Sequence, residues 1–120
     1  MRMSNQYLYL MNYKITDKQL ESVIFLYLDN QDFIQIVKGN RIYFVNSESD
    51  EYAQIVYYKT HGWCVIYFDL IKEISSFFSL KNSDSSKIIS KWVENITQMK
   101  VKDIQSAGKE IFGGVRIPSN

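Results

Sequence analysis

The chain has 120 residues, 46% of them hydrophobic and 22% charged, enough to bury one core and too few for two. Fourteen Lys and Arg against thirteen Asp and Glu leave a formal charge of +1, which excludes both the overall basicity of a dedicated nucleic-acid binder and a strongly acidic mimic. A single cysteine, Cys64, excludes an internal disulfide framework and points to a reducing, cytoplasmic setting.

In chain order, Tyr7–Tyr13 is rich in Tyr and Leu and predicts a strand. Asn12 and Lys14 interrupt any apolar run there, so no signal peptide is expected. Thr16 and Gln19 have the spacing of a capping box, and Ile15 and Leu20 that of a hydrophobic staple. Leu20, Val23, Ile24, Tyr27 and Leu28 then follow a helical stripe, although Ser22–Leu28 also reads as a buried strand. Phe33–Val37 and Arg41–Val45 form a predicted hairpin around Gly39 and Asn40, a pair suited to a turn that needs positive φ. In that register Ile36 faces Tyr43, Ile34 faces Val45 and Val37 faces Ile42.

A polar loop, 46–51, precedes two more strands, Tyr52–Lys59 and Trp63–Phe68, joined at Thr60, His61 and Gly62. Asp69 is a candidate N-cap for a helix over Leu70–Phe78. Lys81–Ser85 reads as a polar break with Ser83 or Asp84 as the next cap. Ile88, Ile89, Trp92, Val93, Ile96 and Met99 then line one side of a further helix, with Lys87, Lys91 and Glu94 on the other. No run is long enough to cross a bilayer; the longest are Val23–Leu28 and Trp63–Phe68.

The predicted order is β-α-β-β-β-β-α-α. Short connections make neighbouring strands antiparallel, so the expected fold is α+β: an antiparallel sheet of about five strands with helices on one face. Residues 1–105 form the single domain, and 106–120, with three glycines and the one proline, a loosely packed tail or late edge element.

The residues that could carry chemistry are few. Cys64 and His61 are the one thiol and the one imidazole. Strand alternation places Cys64 with Ile66 and Phe68, as a small buried residue, and His61 in a turn. A structural zinc site needs about four ligands, and Gly113-Gly114 lacks the Lys-Ser/Thr of a phosphate loop; no metal or cofactor is expected. Lys38-Gly39 begins like an RNA-recognition strand, but the aromatics that follow are out of register. Glu48, Asp50 and Glu51 cluster in the polar loop, either as a solvated loop or as an acidic contact beside Tyr52. Lys87 and Lys91, with Lys81, Lys100 and Lys102 at either end of the helix, make either a solvated helix face or a modest basic patch for an acidic partner.

The stretch WCVIYFDLIKEISSFFSLKNSDSSKIISKWVENITQM, residues 63–99, runs from a strand through a short helix and a polar break into a Trp-bearing helix. This layout resembles the small immunity proteins of bacterial contact-dependent growth inhibition, over about a third of the chain and without a shared motif. The resemblance implies a non-enzymatic cytoplasmic protein that binds and occludes a cognate toxin domain. The expected contact residues are Glu48, Asp50, Glu51, Tyr52, Lys87 and Lys91. The alternatives are a nucleic-acid-binding module, with Lys38, Arg41 and the helix lysines gathered on one face beside exposed Tyr rings, or a small enzyme using carboxylates in a cleft.

Overall fold

The computed structural model describes residues 16–108 and 116–118. The strand expected at Tyr7–Tyr13, and the Ile15 half of the staple, lie outside these residues.

Helix α1 (Asp17–Asp29) starts where the capping box places it. The Thr16 hydroxyl accepts from the Gln19 N–H at 3.1 Å, and the Thr16 N–H donates to the Gln19 side chain at 2.7 Å. Two of the four N–H groups that a helix start leaves open are thereby placed. The stripe buries Ile24 and Leu28 completely, with Leu20, Val23 and Tyr27 packed around them. The segment 22–28 is therefore helix, and its strand-prone residues are held by the cap and by the 3.6-residue burial period.

Strands β1 (Ile34–Lys38), β2 (Arg41–Val45), β3 (Ile55–Tyr58) and β4 (Trp63–Tyr67) form an antiparallel meander. The β1–β2 register pairs Ile34 with Val45, Ile36 with Tyr43 and Val37 with Ile42, as read from the sequence. Gly39 takes φ +57° in the two-residue turn, and Asn40 keeps negative φ, the pattern of a turn with one left-handed residue at its first position. Strand β3 starts three residues later than expected. Tyr52 forms an antiparallel bridge with Arg116 instead, which draws it out of the meander ladder.

Two helix starts also differ from expectation. Helix α2 (Phe68–Phe78) follows β4 directly, with the extended Tyr67 as N-cap. Asp69 lies inside the first turn, where it opposes the positive end of the helix dipole without capping it. Helix α3 (Asn82–Thr97) begins after only Ser79, Leu80 and Lys81. The expected polar break is its first turn. Ser85 and Ser86 are buried there, Ser85 sharing a 2.7 Å hydrogen bond with Ser75 of α2 and Ser86 donating to the Asn82 carbonyl. Polar residues here serve a close helix–helix contact, which composition alone reads as loop.

The largest correction is β5 (Asp103–Ala107), which lies beside β4 and runs parallel to it, Trp63 paired with Asp103 and Tyr67 with Ala107. The α2–α3 pair is the long crossover that a parallel connection requires. The fold is α+β and the sheet has five strands, but it is mixed. The described order is α-β-β-β-β-α-α-β, with β5 spanning the position between 105 and 106 where the domain was expected to end. As an edge strand with one buried residue, β5 has almost no apolar alternation to read.

The three helices cover one face of the sheet. Phe44, Ile66, Cys64, Ile24, Leu70, Ile74, Ile89 and Trp92 meet there, each large apolar side chain contributing about 1.5–3 kcal/mol by leaving water. The Trp92 indole N–H donates to Asp29 at 2.9 Å, and the rings of Phe33 and Phe44 each stand 5.6 Å from it. On the opposite face Tyr43, Val45, Val56, Val65 and Tyr67 are also buried, with Ile117 packed among them.

Candidate partner-binding surfaces

The acidic loop lies at the sheet end where β2 and β4 finish. Asp50 is committed to the loop itself: its Oδ2 accepts from the N–H groups of Asn46 and Ser47, each at 3.0 Å. The Glu51 carbonyl accepts from the Ile117 N–H at 3.0 Å, so the loop is tied to the 116–118 segment. Glu48 is exposed. Asp50, Glu51 and Tyr52 line a hollow of about 400 Å³ with Asp69 and Lys72 of α2. Among the described residues no group of carboxylate, His or Cys side chains is arranged to hold a metal ion.

The two expected helix lysines lie elsewhere. Lys91 donates to Glu21 of α1 at 3.0 Å, an exposed cross-helix ion pair of the sort worth about 0–1 kcal/mol. Lys87 and Lys91 border a shallow groove of about 460 Å³ with Glu94 and the start of β5. The acidic loop and the lysine face therefore belong to separate hollows.

A third surface was anticipated only in part, through Arg41 and the Tyr rings of the nucleic-acid alternative. Cross-strand register puts Arg41, Tyr58 and Trp63 in one row across β2, β3 and β4, on the face away from the helices. Trp63 is 38% exposed, unusual for so large an apolar side chain. The His61 ring stacks on it with centroids 4.3 Å apart and planes 25° apart, and the Tyr58 ring lies 5.9 Å away, tilted by 60°. The Arg41 guanidinium sits 5.0 Å over the Tyr58 ring, a cation–π contact, and donates to the buried Tyr43 hydroxyl at 3.2 Å. That hydrogen bond, ahead of a smaller opposing cost of burial, holds the guanidinium further into its charged range.

The backbone beneath the row is bolted together. Asn40 Oδ1 accepts from both the N–H and the hydroxyl of Thr60, and the Lys59 N–H donates to the Asn40 carbonyl at 2.8 Å. The Lys102 N–H donates to the Gly62 carbonyl at 2.7 Å, and the Tyr57 hydroxyl to the Lys100 carbonyl at 2.6 Å. Burial, then the neighbouring Cys64 and Glu94, pushes the Tyr57 phenol up, so it stays a donor. Gly62 has φ +72°, and a Cβ there would meet Lys102 Cγ at 2.9 Å. Only glycine fits this crossing without displacement.

His61 and Cys64 point to opposite sides of the sheet. Cys64 is fully buried beneath the helices, and burial, with the Glu94 charge second, pushes its thiol up to about 12. A thiol so placed is protonated and out of reach of the imidazole stacked on Trp63, so the two do not form a nucleophile–base pair.

Comparison with protein-family models, with curated proteins and with solved structures found no match. Expectation placed the contact residues by charge clustering along the chain. The Arg41–Tyr58–Trp63–His61 row arises only when three strands are registered side by side. The signal within reach was geometric: the 39–40 and 59–62 turns carry bulky residues at their mouths, and consistent alternation puts Arg41, Tyr58 and Trp63 on one face.

Proposed function

We propose that this chain is a non-enzymatic binding protein that engages a protein partner through the Arg41–Tyr58–Trp63–His61 row, and that it acts as a toxin-neutralising inhibitor. What supports the reading is the row itself. Trp, Tyr and Arg are the residue types that dominate binding energy at protein interfaces, and here they are contiguous and already in contact, with Arg41 and Trp63 exposed and Tyr58 half-buried. Rings held in place before contact lose little entropy on binding. The backbone bonds between the 39–40, 59–62 and 100–102 segments supply that rigidity.

The test is capture of the partner by the tagged chain from its native cells, followed by affinity measurement. Tyr58→Ala with Trp63→Ala is expected to weaken binding about thirtyfold or more, the effect of losing a hot spot of about 2 kcal/mol. Glu48→Gln with Glu51→Gln is expected to change it little. The reverse ranking would move the contact to the acidic loop. The inhibitor role is tested by co-expressing the captured partner, whose toxicity the wild-type chain should relieve and the double-alanine chain should not.

A further inference from the structure

We propose that the partner presents a carboxylate-bearing, acidic segment to this end of the sheet, an inference that rests on the protein-binding reading above. The observation that carries it is independent of the rings. It is the way the fold sorts the chain's nearly balanced charges.

The turns 39–40 and 60–62 and the entry to β5 emerge at the same end of the sheet, because β5 runs parallel to β4. Arg41, Lys59, Lys100 and Lys102 stand there, with Lys38, whose Nζ donates to the Pro118 carbonyl at 2.7 Å. The nearby acids are Glu94, which accepts from the Val101 N–H at 2.7 Å, and Asp103, which accepts from the Gln105 side chain at 3.1 Å; both keep their charge, and the cations outnumber them. At the opposite end stand Glu48, Asp50, Glu51 and Asp69, offset by Lys72 and Arg116. A formal charge of +1 therefore conceals a charge-separated molecule. Its basic pole coincides with the ring row.

The details of the pole favour a carboxylate. Arg41 spends one N–H on Tyr43 and keeps the rest of its planar fork for a bidentate acceptor. The stem of Lys102 lies against Gly62, the glycine between His61 and Trp63, and Lys102 also lines the groove bordered by Lys87 and Lys91. One face of Trp63 is taken by His61 and one of Tyr58 by Arg41. The row thus offers ring edges and cationic donors rather than a run of open faces on which successive nucleic-acid bases could stack.

The experiment uses the full chain and three probes: a twelve-residue peptide rich in Glu and Asp, its Gln/Asn counterpart, and a twenty-nucleotide oligo(dT). Binding is followed by backbone amide NMR shifts and by Trp63 emission. The acidic peptide is expected to shift the amides around residues 41, 59–63 and 102 at low salt, and to weaken about tenfold or more as salt rises several-fold. Arg41→Gln with Lys102→Gln should abolish the shifts, and Lys87→Gln with Lys91→Gln should leave them. Lys59→Gln with Lys100→Gln gives a second variant that spares the Arg41–Tyr43 bond. Equal binding of the neutral peptide, equal loss with the α3 variant, or tighter binding of oligo(dT) with stronger quenching would each overturn the inference. Failure here is separable from failure of the proposed function. A captured partner that needs Trp63 yet ignores salt and the Arg41/Lys102 variant would leave the binding role standing and remove the acidic partner.

Discussion

The two tryptophans of this chain sit in opposite kinds of neighbourhood. Trp92 is 3% exposed, has its indole N–H on Asp29, and is wedged between Phe33 and Phe44. Trp63 is 38% exposed, stacked on His61, and has a cationic rim. The contrast shows how one residue type serves two purposes. Trp92 closes the space between α1, α3 and the sheet, and its polar atom is satisfied within the fold. Trp63 holds a large apolar surface in a fixed pose where the fold gains little from it. A side chain whose burial is incomplete and whose orientation is nevertheless fixed is available to something outside the molecule.

The sharpest way to break the comparison is to truncate both. Trp92→Ala is expected to cost about 3–5 kcal/mol, because it leaves a cavity among Phe33, Phe44 and Val93 and strips Asp29 of its donor. Chemical denaturation would show it as a lower midpoint with an unchanged slope. A loss below about 1 kcal/mol would mean that the helix layer closes without Trp92.

The buried layer can also be probed by pH through Cys64, which belongs to the same cluster as Trp92. Its folded pKa is raised from an ordinary 9.0 to about 12, so below pH 9 the thiol is protonated in both states and contributes nothing to pH dependence. Above pH 9 the unfolded chain releases this proton and the folded chain holds it, so stability falls as pH rises, by about 1 kcal/mol at pH 10. Cys64→Ala removes this contribution. The stability gap between wild type and variant should therefore change between pH 8 and 10, and a constant gap would show that the thiol ionises as easily folded as unfolded.

Trp63→Ala should have the smallest effect on folding, within about 0.5–1 kcal/mol, because the ring is half in solvent and the turn beneath it is held by Asn40, Thr60 and Gly62. A loss as large as that from Trp92→Ala would make Trp63 part of the core and remove the reason to regard it as a contact.

How much of this was legible in the sequence follows the same line between local and distant causes. The α1 cap, the β1–β2 register and the buried stripe around Trp92 depend on residues close together in the chain, and they could be read directly. The start of α3 could not, since Ser85 is buried for a reason that lies on α2, its bond to Ser75. Strand β5 was hidden because its sequence, DIQSA, has little of its own hydrophobic signal, and its pairing comes from β4. The ring row was hidden for the same reason. Tyr58 and Trp63 are only five residues apart across the 59–62 turn, but Arg41 lies seventeen residues before Tyr58 and joins them only through the β2–β3 register.

The parallel β4–β5 pair also sets a clock for assembly. Strands β1 to β4 are joined by short turns and close quickly, but the partner of Tyr67 is Ala107, forty residues further along the chain. At synthesis rates of about 5–20 residues per second, β4 waits about 2–8 s for β5 to be made. Throughout that interval its outer N–H and C=O groups form an open edge over Trp63–Tyr67, one of the most apolar stretches of the chain. The nascent chain is then most vulnerable to pairing with another copy of itself, and completion of β5 ends the exposure.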